Sequence, residues 1–299
     1  MNDTVRWLLE GDVSIQYQTH SFLLNSDFAV CGQLQRRIEH EGFGERLVSC
    51  RNPSGHWGLW YYQPKWTSTH YTLCDLKQLG LSKDNQACRE MVLRALDECQ
   101  GDDGGLNFAK RPMPSDIAID GMFLDYASYF CAEDQRLDKI AEFVLTQRKS
   151  DEGFSWDYQS IHGDLHTTIC VLEGLSTFQK SRQHHILADA IEGGLRFLYD
   201  RHLCIDEDTR FTKLSYPYRY RYDLLRFLEF ACVAQIPLNE HIEQALMWLI
   251  SKQKHERWNL ELIHPGAVHM QFESVRQPSR FVTLKALSIL KHFQNISFI

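Results

Sequence analysis

The sequence predicts an all-helical fold, an α/α toroid of about six helical hairpins, from three observations. A glycine-containing connector recurs every 47 to 48 residues, at Gly58, Gly105 and Gly153. Each connector is followed by two helical patterns, the first mostly apolar and the second amphipathic. No segment carries the alternation that is typical of a half-buried strand. A fixed period of this size indicates an array of repeated units that bury a common core.

The first unit shows how each hairpin is built. Residues 71–79 form a short apolar pattern that stops at Gly80, and residues 85–100 form the second pattern. The second pattern places apolar residues on one face and charged residues on the other. This contrast predicts a buried inner helix paired with an amphipathic outer helix. The apolar face carries Val92, Ala95, Leu96 and Cys99.

The same succession of an apolar and an amphipathic helical pattern predicts helical hairpins in the rest of the chain. A closed ring is favoured over an open solenoid, because the connectors carry Gly, Trp and Phe, whereas open arrays end in polar caps. The chain is interpreted as a single domain, 1–299, with N-terminal helices in 1–50 and hairpin repeats in 51–299. The last predicted helix ends in an apolar C-terminal segment that includes Phe293, Ile296, Phe298 and Ile299. The other predicted helices are 5–24, 27–39, 117–130, 136–148, 165–178, 185–201, 222–234, 240–253 and 281–293.

Composition restricts the class of partner. The 299 residues are 43% hydrophobic and 24% charged, with a formal net charge of −7, which gives no support to nucleic acid or an anionic membrane as a partner. The nine cysteines contain no C-x-x-C motif and are expected to be reduced. Neither a signal peptide nor a membrane-spanning segment is apparent, so a cytoplasmic location is expected.

The connectors resemble those of a known repeat. Residues 55–58 (Gly-His-Trp-Gly), 104–108 (Gly-Gly-Leu-Asn-Phe) and 152–156 (Glu-Gly-Phe-Ser-Trp) are similar to the repeats of prenyltransferase and squalene-oxidase-type proteins. This superfamily includes terpenoid cyclases and the beta subunits of protein prenyltransferases. The chain resembles its small single-domain bacterial members, which are often labelled squalene-cyclase-like. Residues 7–12, 65–69, 211–214 and 278–280 also fit that subgroup. The resemblance implies a toroid with a central cavity and a substrate of isoprenoid type, whereas a fold alone does not define a reaction.

Class II terpene cyclases carry a D-x-D-D run whose acid protonates an alkene, and this chain has Asp116-Ile-Ala-Ile-Asp120 instead. Two carboxylates four residues apart lie on one face of a helix. Burial of one beside the other would raise its pKa. The alternative is that Asp116 caps the helix and Asp120 forms local hydrogen bonds.

Two other chemistries of helical toroids remain open. In the prenyltransferase zinc site, Asp120 and His166 occupy ligand positions, whereas Met122 replaces the cysteine ligand. Zinc bound by His70, His166 and a carboxylate is a second arrangement with suitable ligand types. No cofactor is indicated, although zinc or magnesium remains compatible with these residue types. A glycosidase would need two carboxylates, which Asp116, Asp120 and Asp164 could supply.

Alignment of the apolar positions of the inner helices superimposes His70, Ala118, His166 and Arg219. It also places Asp120, Arg221 and Arg280 at the position of Thr72 and Thr168. Successive inner helices are therefore expected to present polar groups at one end of the ring. Aromatic rings beside guanidinium groups suit an apolar ligand with an anionic group.

The resulting prediction is a terpene-cyclase-like enzyme that acts on an isoprenoid or another apolar molecule. The alternative is a non-catalytic protein that holds a lipid-like ligand or a peptide, and a partner subunit is not indicated. The predicted catalytic residues are Asp116, Asp120, His70 and His166. The predicted substrate-binding residues are Asp164, Trp66, Tyr218, Arg219, Arg221, Tyr222, His269 and Arg280.

Overall fold

The computed structural model describes residues 2–182 and 187–294, and these ranges are all-helical without a strand, which confirms the predicted fold class. A π-helical turn, Thr19–Leu23, continues the second helix. The α-helices of the described ranges are α1 (Asp3–Leu9), α2 (Val13–Gln18), α3 (Phe28–Arg37), α4 (Gly42–Ser49), α5 (Thr69–Gln78), α6 (Gln86–Cys99), α7 (Ile117–Phe130), α8 (Arg136–Thr146), α9 (Leu165–Arg182), α10 (Ala188–Tyr199), α11 (Leu224–Val233), α12 (Glu240–Ser251) and α13 (Arg280–Gln294).

Six helices form the inner ring in the order α2, α5, α7, α9, α11 and α13; successive helices from α5 to α13 pack together and α13 packs on α2, whereas α2 and α5 both contact α4. The two ends of the chain close the ring. Lys291 of α13 donates hydrogen bonds to the carbonyls of Phe22 and Leu23 at the end of the π turn, both at 2.9 Å. On the other side of α2, the Gln18 amide donates to the Gln78 carbonyl of α5 at 3.1 Å. The inner helices therefore start at one end of a toroid and finish at the other.

The outer helices are amphipathic, as predicted. Along α6, Cys88, Met91, Val92, Ala95 and Leu96 are buried, whereas the intervening polar residues face solvent. Asn85 caps this helix by accepting the Cys88 N–H at 3.0 Å, which satisfies a donor that the first turn leaves free. The outer helices thus cover the ring with one apolar stripe each.

Helices α7 and α9 cross at very close range because of two glycines. A Cβ on Gly121 would lie 2.7 Å from the Cys170 carbonyl, and a Cβ on Gly174 would lie 2.3 Å from the Gly121 carbonyl oxygen. No real Cβ tolerates such distances to backbone, so only glycine allows this approach. The crossing fixes the start of α9 beside the start of α7.

One hydrogen bond recurs between each connector and the inner helix that follows it. A side-chain oxygen near the start of the helix accepts the backbone N–H of a buried connector residue. The four bonds join Trp57 to Thr69 (3.1 Å), Leu106 to Asp120 (2.7 Å), Phe154 to Thr168 (2.9 Å) and Trp258 to Thr283 (3.0 Å).

This bond corrects the alignment of the apolar positions. Asp120 and Thr168 are equivalent, as predicted, but Thr69 and Thr283 take the place that the sequence assigned to Thr72 and Arg280. Thr72 instead donates to the Ser68 carbonyl within its own helix, at 2.9 Å. The equivalent residue therefore lies three positions before the predicted one in the first unit and three positions after it in the last unit.

The centre of the ring is filled rather than open. Asp75 of α5 pairs at 2.5 Å with Arg219, which reaches across from the connector before α11, and both side chains are buried. Arg226 of α11 binds Glu173 of α9 through two hydrogen bonds, at 2.9 and 2.6 Å. The single central cavity expected from the sequence is thus divided into cavities at the two ends of the ring.

The N-terminal region departs from the predicted hairpin. The segment 5–24 is interrupted at Gly11, after which Asp12 caps α2 by accepting the Ser14 N–H at 2.9 Å. The predicted start of an outer helix at His185 and the apolar residues Ile296, Phe298 and Ile299 lie outside the described residues. Within the described ranges, none of the helices combines the length and apolar character that crossing a membrane requires.

Candidate functional site

The inner helices α5, α7, α9 and α11 begin at the same end of the ring, which we call the mouth. Three cavities lie there. The largest of the three, the mouth cavity, has a volume of about 300 Å³, within the lower part of the range of small-molecule sites. It is lined by Tyr62, Lys65, Tyr71, Asp116, Ala118, Ile119, Met122, Trp156, His166, Thr167 and Tyr220.

Asp116 provides the only carboxyl group among the described residues that line the mouth cavity. It caps α7, with Oδ1 accepting the N–H groups of Ala118 and Ile119 at 3.1 and 3.3 Å. Burial raises the pKa of Asp116, and the nearby Asp164 adds to this rise, whereas the two backbone N–H groups and Lys65 oppose it. The result is a carboxyl group whose protonated form is stabilised beside a small cavity.

His166 lies in the first turn of α9 and separates two cavities. Its Nδ1 accepts the Tyr222 N–H at 2.9 Å, which places the ring proton of neutral His166 on Nε2. Burial lowers the pKa of His166 to about 4, with Arg221 and Arg226 acting in the same direction. At neutral pH the ring is therefore an uncharged hydrogen-bond donor at Nε2.

Aromatic rings form most of the remaining wall. The hydroxyl groups of Tyr62 and Tyr71 share a hydrogen bond of 3.1 Å. Trp66 stacks on Tyr220, with ring centroids 6.0 Å apart, and Lys65 lies 4.4 Å from the Tyr220 centroid. The cavity thus combines one acid and one ammonium group with π faces, which attract positive charge.

A side cavity of about 180 Å³ adjoins the mouth cavity across His166. Arg210 and Arg221 line it; Arg210 pairs with Asp208, whereas Arg221 Nε is buried without a partner among the described residues. Burial lowers the pKa of His264 to about 4, and Arg221 and Arg219 contribute. Its one described carboxyl group, Asp223, caps α11, and burial raises its pKa to about 7. This cavity offers donors suited to an anionic group.

A third cavity of about 170 Å³ shares Tyr62, Asp116 and Ile119 with the mouth cavity. It extends towards the connector 107–114. Asp116 is thus one of three residues at the boundary between these two cavities.

Two of the four predicted catalytic residues lie away from these cavities. His70 is fully buried and hydrogen-bonds the Tyr126 hydroxyl through Nδ1 at 3.2 Å. Asp120 is also fully buried and accepts the Leu106 N–H, and burial raises its pKa well above the usual range. Neither residue lines a described cavity, whereas Asp116 and His166 both line the mouth cavity.

The predicted binding residues are dispersed in the same way. Arg221 and Tyr222 line the side cavity, and Asp164 lies close to Asp116 and His166, where its Oδ1 accepts the Thr167 N–H at 2.9 Å. Trp66 donates to the Pro265 carbonyl at 2.7 Å and anchors the connector that also carries His269. The remaining three lie elsewhere: Arg219 in the ring centre, Tyr218 beside the other end of the ring, and Arg280 against the Trp7 carbonyl.

The sequence interpretation missed several lining residues. Tyr62, Tyr71, Trp156 and Tyr220 were not predicted as binding residues, although the density of aromatic residues in the connectors was a usable signal. Lys65 and Arg210 carried no such signal. Among the described residues, no group of three His, Cys, Asp or Glu side chains is arranged to hold a metal ion.

No protein-family model matches the sequence, and no curated protein matches it. Among solved structures, the chain is similar to an apo type II terpene cyclase, MstE from Scytonema, at 10% identity and a TM-score of 0.35. The alignment covers 86% of this chain and 96% of that chain. A TM-score of this size supports neither the fold nor the reaction, which therefore have to be inferred from the geometry of the ring and its cavities.

Proposed function

We propose that this chain is a terpene-cyclase-like enzyme that binds an apolar, isoprenoid-like molecule in the mouth cavity and uses Asp116 as a general acid. The observation that carries the proposal is the position of Asp116. Its carboxyl group has a raised pKa and faces a cavity walled by aromatic rings. A general acid needs a protonated form at the working pH, and burial favours that form.

The chemistry that this arrangement supports is protonation of an alkene. The O–H bond of Asp116 breaks as a C–H bond forms, and a carbocation results. The faces of Tyr62, Trp156 and Tyr220 stabilise this charge. Loss of a proton from the cation to water or to the Asp116 carboxylate completes an isomerisation, so no further reactant is consumed.

The side cavity supports an anionic group on the substrate. Among the described residues, the buried Arg221 Nε has no partner, whereas Arg210, which lines the same space, pairs with Asp208. His166 separates this space from the mouth cavity and carries its proton on Nε2. A molecule with an apolar chain in the mouth cavity would place an anionic end beside Arg221, where a charge-assisted hydrogen bond is available.

The test compares the purified protein with Asp116→Asn. Farnesol and farnesyl diphosphate serve as probes, with products identified by gas chromatography and mass spectrometry after phosphatase treatment. Loss of the acid is expected to reduce the rate of product formation by about 100-fold or more, while the dissociation constant of the probe changes only a few-fold. Asp120→Asn is the matched control, because an amide oxygen retains the acceptor for the Leu106 N–H and turnover is expected to persist.

A second candidate function is non-catalytic binding. It is favoured by the hydrogen bonds of the carboxyl groups: Asp116 caps α7, Asp164 binds the N–H of Thr167, and Asp120 holds its connector. The two candidates predict different outcomes. Binding of a probe without any product, unchanged in Asp116→Asn, would establish the binding protein and contradict the enzyme. Absence of both binding and product would contradict both.

A further inference from the structure

The largest described cavity lies at the end of the ring opposite the mouth, and we call it the distal basin. Its volume is about 650 Å³, in the middle of the range for small-molecule sites. It is formed where α9, α11, α13 and the π turn come together. Its lining includes Phe22, Lys180, Glu229, Val233, Leu284, Lys285, Ile289 and Lys291.

The distal basin carries an excess of positive charge. Lys180, Lys285 and Lys291 line it, whereas Glu229 is the only carboxyl group among its described lining residues. Glu229 is already engaged, because it pairs with Lys285. Two ammonium groups are therefore left without a carboxylate in the lining.

The two remaining lysines are held by neutral oxygens. Lys180 donates to the Val233 carbonyl at the end of α11. Lys291 donates to the Phe22 and Leu23 carbonyls, both at 2.9 Å, and to Asn25 Oδ1 at 2.8 Å. These bonds fix the ammonium groups but do not neutralise them. Burial lowers the pKa of both lysines, and the nearby Lys77 adds to the effect at Lys180.

Apolar side chains cover the rest of the wall. Leu284 and Ile289 project from α13, while Phe22 and Val233 lie at the rim with about half of their surface exposed (51% and 50%). Large apolar groups left exposed around a concave surface are typical of a binding site. The basin thus pairs a cationic region with an apolar one.

The distal basin is separate from the mouth. No described residue lines both the basin and any of the three mouth cavities. The buried pairs Asp75–Arg219 and Glu173–Arg226 occupy the ring between them. A ligand of the basin is therefore distinct from the proposed substrate and independent of Asp116.

We propose that the distal basin binds a single-chain anionic amphiphile, with its head group at Lys180 and Lys291 and its chain along Phe22, Val233 and Leu284. An anionic head would supply the charge that the lining lacks. It would accept a charge-assisted hydrogen bond from Lys180, whose one described acceptor is the Val233 carbonyl, whereas Lys291, with three acceptors already in place, would attract it by charge. The chain would cover apolar surface that water now contacts.

Decanoate is the probe, and isothermal titration calorimetry on the full chain measures its affinity. Decanol and acetate each lack one of the two features and are expected to bind at least about tenfold more weakly. The double variant Lys180→Gln, Lys291→Gln is expected to lose about tenfold or more in decanoate affinity. The charge-preserving pair Lys180→Arg, Lys291→Arg is expected to stay within a few-fold of the native protein. Circular dichroism establishes that each variant is folded.

Two further variants keep the result interpretable if the lysine variants unfold. Val233→Trp fills the rim of the basin without a change in charge and is expected to weaken decanoate binding. Arg221→Gln alters the side cavity at the mouth, so the affinity for decanoate at the distal basin is expected to stay unchanged. Equal affinity for decanol and decanoate would overturn the proposal. Loss of decanoate binding in Arg221→Gln but not in Val233→Trp would place the ligand at the mouth, and this result would also overturn the proposal.

Discussion

His70 is enclosed by aromatic rings, of which Tyr71, Phe108 and Tyr126 have centroids 4.9 to 5.5 Å from the imidazole. Its Nε2 is buried without a hydrogen-bond partner in the described part of the chain. Burial lowers the pKa of His70 to about 3. The imidazole therefore stays neutral in the folded protein, because protonation would bury an uncompensated charge.

This pKa predicts a specific dependence of stability on pH. The unfolded chain protonates His70 near pH 6.5, whereas the folded protein does so only near 3, so stability is lost as the pH falls through this window. Each such histidine changes the free energy of unfolding by about 1.4 kcal/mol per pH unit within this window. His70→Gln is expected to reduce the slope of the unfolding free energy by about that amount between pH 6 and 4, as measured by urea denaturation. An unaltered slope in His70→Gln would refute the assignment.

The sequence could place His70 and His166 in corresponding units but could not distinguish their environments. The Tyr222 N–H that binds His166 comes from 56 residues further along the chain, and the Tyr126 partner of His70 is equally distant in sequence. Helical periodicity is a local signal, so it carries no information about such contacts. For the same reason, the spacing of Asp116 and Asp120 on one helix face did not show that one faces a cavity and the other a connector.

At the scale of elements, periodicity was a much better guide. The predicted helix 117–130 coincides with α7, and 85–100 nearly coincides with α6. Both segments have a regular apolar pattern and an Asp or Asn cap, so local signals and tertiary packing agree. Helix α2 and its π turn were less predictable, because the interruption at Gly11 depends on contacts with Arg280, whose side chain occupies the space where a Cβ would lie.

The crossing of α7 and α9 predicts a large effect of a single methyl group. Gly121→Ala would place a Cβ 2.7 Å from the Cys170 backbone, so the two helices have to separate and leave a gap in the core. We expect a loss of about 2 kcal/mol or more in the free energy of unfolding. The matched control is Gly32→Ala in α3, where the nearest atom is the end of the Arg36 side chain at 3.5 Å.

Gly32→Ala is expected to be neutral or to stabilise the protein by up to about 1 kcal/mol, since alanine favours a helix more than glycine does. Urea denaturation of both variants measures the contrast. Equal effects of the two substitutions would contradict the role of Gly121 in the crossing.

At the scale of the whole molecule, the closed ring has cavities of different character at its two ends. The mouth joins an acid, aromatic rings and arginines, whereas the distal basin joins lysines and aliphatic side chains. The period of the repeat predicted the ring but not the groups that fill its centre. The Asp75–Arg219 pair spans 144 residues, and repeat patterns describe only neighbouring units.

Ring closure also predicts that the first and last helices are stabilised together. Arg280 of α13 donates to the Trp7 carbonyl at 3.0 Å and lies over the Trp7 ring, 4.6 Å from its centroid. Arg280→Met removes both contacts while keeping much of the side-chain volume. Because local opening depends on such contacts, we expect faster hydrogen–deuterium exchange in α1 and α2 as well as in α13, with α8 unchanged.

Mass spectrometry of peptides from each helix provides this measurement. The control is Arg196→Met on the outer helix α10, where a half-exposed side chain lies 3.7 Å from Glu152 and surface pairs contribute little. That variant should leave exchange in α1, α2 and α13 as in the native protein. Faster exchange confined to α13 in Arg280→Met would mean that the two ends of the chain open independently, as in an unclosed array. Joint acceleration in α1, α2 and α13 would show that the ring opens as one unit at its seam, because in a closed array the loss of one terminal contact exposes both helices that share it.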